Sequence, residues 1–206
     1  MLRAILLEIV MLGRQAKTLS LSMQARLLTR VRDSPWPARD RVIVLLSMRA
    51  GLRAGEIAQL TWGMVLNAEG AIAEVMSLPG QIAKYRSGRR IPLHRDLRYA
   101  LRILYRTLPV AAHGPHAPVV RSARGSAMRP NSIVNWFTDL YRELKLEGCS
   151  SHSGRRTFIT NAARKVHQAG ASLRDVQMLA GHRSIETTQR YIDGDSAAQR
   201  KLVGLI

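Results

Sequence analysis

Leu179-Ala180-Gly181-His182-Arg183-Ser184-Ile185-Glu186-Thr187-Thr188-Gln189-Arg190-Tyr191 joins two helical patterns through an elbow. Gly181 stands where the first helix ends, because glycine takes the left-handed closing turn without steric cost. Ser184 carries a side chain suited to capping the next helix. His182 therefore sits in the elbow, and Tyr191 is expected about two turns into the second helix. Taken alone, a tyrosine near a carboxyl end is ordinarily a packing residue.

Working upstream, Ser151-His152-Ser153-Gly154-Arg155-Arg156-Thr157-Phe158 reads as a helix start. His152 and Arg155 are three residues apart, so a helical first turn puts them on one face. A helix amino terminus also favours an anion. Phe158 and the apolar residues after it anchor the helix. Further upstream, Lys84-Tyr85-Arg86-Ser87-Gly88-Arg89-Arg90-Ile91-Pro92-Leu93 reads as a basic hairpin turning at Ser87-Gly88. A lysine at its tip reaches a DNA groove and is able to donate a proton. Taken alone, such a hairpin merely touches phosphates. Earlier still, Arg53 lies in Ala50-Gly51-Leu52-Arg53-Ala54-Gly55-Glu56, a tight turn between two helices. Gly51 permits the turn, Arg53 points into a cleft, and Glu56 orients a basic group.

The rest of the chain supports a mainly helical α+β fold. Ser34-Pro35-Trp36-Pro37 is a loop before a helix running to Ala50, and Ala54 to Leu60 forms a second, short helix. Residues 63 to 93 are broken by Gly, Pro and Asn, and predict a small antiparallel sheet of about three strands inserted among helices. Leu97, Leu101, Leu104 and Leu108 share one helix face, as do Ile133, Phe137, Leu140 and Leu144 after Pro130. A short strand is expected at Val119-Val120. Helices follow from about Arg155 to Gln168 and from Ser172 to Ala180, the latter opened by Ser172 and Asp175 at capping-box spacing.

The 206 residues hold 32 Lys+Arg against 14 Asp+Glu, a formal net charge of +18. Such an excess repels itself unless a polyanion neutralises it, so DNA or RNA is the natural partner, with a generic basic surface, as in a ribosomal protein, the alternative. The basic residues are spread along the chain, which excludes a single basic tail. One cysteine, Cys149, excludes an internal disulfide and a cysteine-based zinc site, and it reads as a small packed residue. Met1 to Leu12 is apolar but carries Arg3 and Glu8, and is too short to span a bilayer. It reads as a short helix, and no membrane is expected. The lack of an internal disulfide suits a reducing cytoplasm.

Phosphodiester cleavage needs a nucleophile, cations for the non-bridging oxygens and an acid for the leaving oxygen. The chain has no acidic cluster of the kind that holds Mg²⁺, so no metal and no other cofactor is expected. Guanidinium groups would then supply the charge, since their planar fork binds phosphate oxygens and stays protonated.

In order and spacing, the four segments together resemble the tyrosine recombinases, also called the phage integrase family. Its pattern is an Arg in a Gly-Leu-Arg-x-x-Glu turn, a hairpin Lys followed by Arg-x-x-Pro-Leu or a close variant, a His-x-x-Arg box, and a Gly-His element with a Tyr nine residues on. Here these are Arg53 with Glu56, Lys84, His152 with Arg155, and Gly181-His182 with Tyr191. The likeness covers about residues 20 to 195. It implies site-specific cutting and rejoining of DNA through a 3′-phosphotyrosyl link made by Tyr191. Arg53, Arg155 and His182 would hold the phosphate oxygens, His152 would act as base or positioner, and Lys84 would protonate the leaving 5′ oxygen. Arg86, Arg89, Arg90, Arg156 and Arg183 are expected on DNA. The resemblance also implies a homotetramer on paired sites, with the tail from Asp193 to Ile206 packing on a neighbour. Residues 1–17 are expected as a short helix or appendage and 18–206 as the catalytic domain, without the family's amino-terminal core-binding domain. A non-catalytic DNA-binding remnant and a type IB topoisomerase-like nicking activity are the alternatives.

Overall fold

The structure, a computed structural model, describes residues 16–83, 88–191, 200 and 203–204. The expected helix at Met1 to Leu12, the hairpin tip with Lys84 and Arg86, and most of the tail after Tyr191 lie outside these residues.

The order of elements is α1 (Leu21–Arg30), α2 (Pro37–Ala50), α3 (Ala54–Ala58), β1 (Val75–Leu78), β2 (Arg89–Pro92), α4 (Arg95–Thr107), α5 (Pro130–Glu143), α6 (Ser153–Lys165), α7 (Leu173–Ala180) and α8 (Ile185–Gln189). The fold is α+β and mainly helical, as the patterning predicts.

The centre is α2. Pro37 opens it, where a missing N–H costs nothing, and Gly51 closes it in the left-handed region at φ 65°. Val42, Ile43, Val44, Leu45, Leu46 and Met48 are all buried, so the helix is apolar around most of its girth and packs on several sides. Its main partners are α4 and α6. The α4 face consists of Leu97, Ala100, Leu101 and Leu104, and α5 contributes Ile133, Phe137, Leu140 and Tyr141. Each fully buried large aliphatic or aromatic side chain is worth about 1.5–3 kcal/mol of transfer free energy. Cys149 is a free thiol packed against this cluster. A second, smaller cluster joins Ile159, Ala163 and Val166 to Val176 and Ala180, tying α6 to α7.

The sheet has two named strands among the described residues, not three. β1 and β2 run antiparallel, pairing Met76 with Ile91 and Leu78 with Arg89. The segment expected to supply a further strand closes only an isolated bridge between Leu66 and Ile72, and Pro118 and Arg121 flank Val119-Val120 with two more. The Gly, Asn and Pro residues that marked turns leave runs too short for a continuous ladder.

The amino-terminal described segment is strapped to the helix of the His-x-x-Arg box. The Lys17 N–H donates to the Gly148 carbonyl at 3.1 Å, and the Leu19 N–H donates to Thr157 Oγ1 at 2.7 Å. Ser20 then caps α1. The capping box at Ser172 and Asp175 is present and opens α7.

Candidate active site

Three loop-to-helix junctions converge. At the first, Gly51 closes α2. A Cβ there would lie 2.5 Å from the Phe158 ring, so only glycine lets α6 pack so close. That approach carries Arg155 to the end of α2. Its Nη1 donates to the Gly51 carbonyl at 2.5 Å, and its Nη2 donates to the Ala180 carbonyl at 2.7 Å. Both acceptors lie at helix carboxyl ends, where the backbone dipole attracts a cation. Arg155 is 4% exposed. Burial, then the charges of Arg53 and Arg89, push its guanidinium down to about 10, against the pull of Glu56 and Tyr191. It is still charged at neutral pH.

The second junction is the turn from Arg53 into α3. The Arg53 N–H donates to Glu56 Oε2 at 2.9 Å, and Arg53 Nη1 donates to Oε1 at 3.0 Å. Glu56 is 2% exposed. Burial alone would raise its carboxyl, but hydrogen bonds and charge from Arg89, aided by Arg53, hold it below the ordinary carboxylate value. The expectation that Glu56 orients a basic group is met twice over, because Arg89 shares the same carboxylate.

The sequence pattern places Arg89 with the DNA contacts; in the structure its side chain is buried, at 9% exposure. The reason is strand alternation: Arg89 and Ile91 point inward, and Arg90 points out. Nη1 and Nη2 of Arg89 donate to the two oxygens of Glu56, each at 2.9 Å. The strand period carried the signal, and the density of basic residues around it masked it.

The third junction is the elbow at Gly181, left-handed at φ 62°. His182 Nδ1 is hydrogen-bonded with Thr188 Oγ1 at 2.9 Å, and the ring stacks on Tyr191 with centroids 5.5 Å apart. Burial, followed by the charges of Arg155, Arg53 and Arg89, pushes the imidazole down to about 4. His182 is therefore neutral at pH 7 and offers one N–H donor. Thr188, fully buried, was not singled out from sequence, because one threonine in a polar run carries no distinguishing pattern.

Tyr191 lies two residues beyond α8, which is only five residues long, instead of two turns into a helix. Arg156 Cζ sits 5.7 Å from its ring centroid. His152, Arg155, Arg156, Arg190 and Tyr191 line one cleft of about 340 Å³. His152 and Arg155 thus share a face, as their spacing predicts. Arg90 and Arg183 line a neighbouring cleft of about 410 Å³ with Arg174, His182 and Arg89. Lys84 and Arg86 lie outside the described residues. Among the described residues no group of three His, Cys, Asp or Glu is placed to hold a metal, and no helix is long and apolar enough to cross a membrane.

Electrostatically, Arg53 and Arg89 pair with one carboxylate, and Arg155 lies within reach of its charge. The site therefore carries an uncompensated positive charge at partial burial, an arrangement that favours an anion.

The family model described as "Phage integrase family" matches residues 17–197. Tyrosine recombinase XerC of Rhizobium meliloti (strain 1021) is 30% identical over 167 residues, covering 80% of this chain and 49% of that protein. Tyrosine recombinase XerD of Pasteurella multocida (strain Pm70) is 28% identical over 165 residues, 77% of this chain and 51% of that protein. The chain spans about half the length of these curated relatives. Among solved structures, XerA recombinase superposes with a TM-score of 0.69 at 20% identity, over 91% of this chain and 64% of that one. The Tn1549 transposon integrase in complex with a circular intermediate DNA gives 0.70 at 17% identity, over 92% and 65%. At such identity these likenesses concern the fold.

Proposed function

The chain belongs to the phage integrase family, and from that premise we propose that it cuts and rejoins double-stranded DNA at specific sites through a covalent link to Tyr191. The observation that carries the reading is the pairing of Arg53 and Arg89 with the single carboxylate of Glu56, with Arg155 near enough to feel its charge, beside the cleft that Tyr191 lines.

In this reading the Tyr191 hydroxyl oxygen attacks the scissile phosphorus and loses its proton to a base, His152 being the candidate. Arg53 and Arg155 neutralise the non-bridging oxygens, and neutral His182 donates one hydrogen bond to them. The bond from phosphorus to the 5′ oxygen breaks, and Lys84 supplies that oxygen's proton. A 3′-phosphotyrosyl link and a free 5′-hydroxyl remain. Attack by a 5′-hydroxyl from another strand reverses the steps, and no ATP is consumed because the link conserves the phosphodiester energy. Residues 18–206 would form the catalytic domain. Arg90, Arg156 and Arg183 are the candidate backbone contacts, together with Arg86. The assembly would be a homotetramer on paired sites, acting on DNA in the bacterial cytoplasm or nucleoid.

The test is covalent trapping on nicked DNA. A 3′-linked adduct is expected, and it is expected to persist in EDTA because arginines carry the charge. DNA binding without adduct would favour a non-catalytic DNA-binding protein of this fold. Relaxation of supercoiled DNA without strand exchange would favour topoisomerase-like nicking. Loss of cutting on chelation, restored by Mg²⁺, would overturn the arginine mechanism.

A further inference from the structure

Arg89 joins three parts of the molecule that are distant in sequence. Its two Nη groups grip Glu56, whose carboxylate also holds the backbone N–H and the guanidinium of Arg53. Its Nε donates to the Leu179 carbonyl at 2.9 Å, in the last turn of α7 just before the elbow. A Cβ on Gly181 would lie 3.0 Å from Arg89 Nη1 and 3.1 Å from Cδ, so the guanidinium packs directly under that turn. β2, which presents Arg89, begins two residues after the segment holding Lys84 and Arg86. Arginine suits this place because one rigid fork takes both carboxylate oxygens while Nε faces a third acceptor. Lysine has a single nitrogen and is unable to satisfy the two sides at once.

Groups that stabilise a transition state act only when held within a fraction of an ångström. We propose that Arg89 is a positioning residue, setting the Arg53 guanidinium and the Gly181–His182 elbow against one another without touching DNA. The inference rests on the strand-cutting reading of the same site. Arg89 also adds to the positive field on His182. That ring is faced by Arg53 before α3, Arg89 on β2, Arg155 on α6, Arg174 on α7, Thr188 on α8 and Tyr191 beyond it.

The decisive variant is Arg89→Lys, which keeps the charge and loses the fork. At saturating nicked DNA its single-turnover adduct formation is expected to fall roughly tenfold to a hundredfold. Its DNA affinity and salt slope are expected to match wild type. Arg89→Met, which removes the charge, is expected to keep the wild-type salt slope too, whereas a phosphate contact by Arg89 would lower that variant's log–log slope by about 0.9. An unchanged cleavage rate, or a slope reduced by that amount, overturns the proposal. Should the wild-type chain form no adduct, the strand-cutting reading fails by itself, and Arg89 is judged by NMR titration of the His182 ring. In Arg89→Met the His182 midpoint is expected to rise above about 4 while staying below 6.5, because burial and the charges of Arg155 and Arg53 remain. If that variant does not fold, Arg89→Gln, which removes the charge but keeps an amide donor for Glu56, serves the same measurement. A midpoint that stays in place overturns the proposal.

Discussion

Arg155 and Tyr191 line the same cleft from supports of opposite kinds. Arg155 projects from α6, which packs along α2, and its guanidinium is pinned between two helix-end carbonyls. Tyr191 follows a five-residue helix and is half-buried against the smaller apolar cluster. A helix that short is not stable alone, so its place depends on the few contacts of its elbow. The proposed phosphate-binding charge is thus set by the act of folding. The proposed nucleophile is set by a thinner layer of stacking and capping, the part of a protein where local opening costs least.

Substitutions at the two ends of this contrast separate them. Tyr191→Phe keeps the ring, its stacking on His182 and its apolar contacts. Adduct formation on nicked DNA is expected to vanish, while DNA affinity and the melting midpoint stay at wild-type values. A changed melting midpoint would mean that the hydroxyl supports the fold as well as the chemistry.

Arg155→Ala is expected to slow cleavage roughly a hundredfold to a thousandfold, the usual cost of losing a donor to a developing oxyanion. It also strips the Gly51 and Ala180 carbonyls of this donor, so urea unfolding should show a loss of about 1–3 kcal/mol. Lys84→Ala sharpens the distinction by chemistry. Replacing the bridging 5′ oxygen with sulfur gives a thiolate leaving group that needs little protonation. Sulfur is expected to rescue Lys84→Ala and to leave Arg155→Ala slow. If sulfur does not rescue Lys84→Ala, the acid is another group, with Arg86 or His152 next to be tried.

The elbow answers to pH. His182 has a depressed folded value of about 4 against an ordinary 6.5, so between those values the unfolded chain binds more protons. Its contribution to stability is therefore complete above pH 6.5 and is lost as the pH falls toward 4. Glu56, Asp175 and Glu186 are also held below their ordinary values and act in the same direction. Their ordinary values are 4.5 or lower, so the window above that belongs to His182. Urea titrations at several pH values should show the decline in wild type and a flatter profile in His182→Asn. An equal slope in both would place the titration elsewhere.

Thr188→Val makes the smallest change. It removes one hydrogen bond to His182 from a fully buried site and keeps the side-chain shape. A stability loss of about 0.5–1.5 kcal/mol is expected, with a modest drop in adduct formation. An effect on cleavage as large as that of Arg155→Ala would mean that the elbow, and not the guanidinium cluster, limits the reaction.

Much of this was legible along the chain because it is local. Pro37, Gly51, Pro130, the Ser172–Asp175 pair and Gly181 mark helix ends through backbone chemistry that needs only neighbouring residues. The apolar periods of α4 and α5 named their buried faces for the same reason. His152 and Arg155 were matched by spacing, since three residues on a helix bring side chains to one face. Other features depend on which segments meet. The burial of Arg89 follows from its pairing opposite Leu78 and from the carboxylate beneath it. The neutral state of His182 comes from burial and from arginines on three other segments, and both depend on which segments meet and not on sequence distance. The brevity of α8 and of the sheet was decided by the same tertiary competition, because short elements persist only where packing holds them.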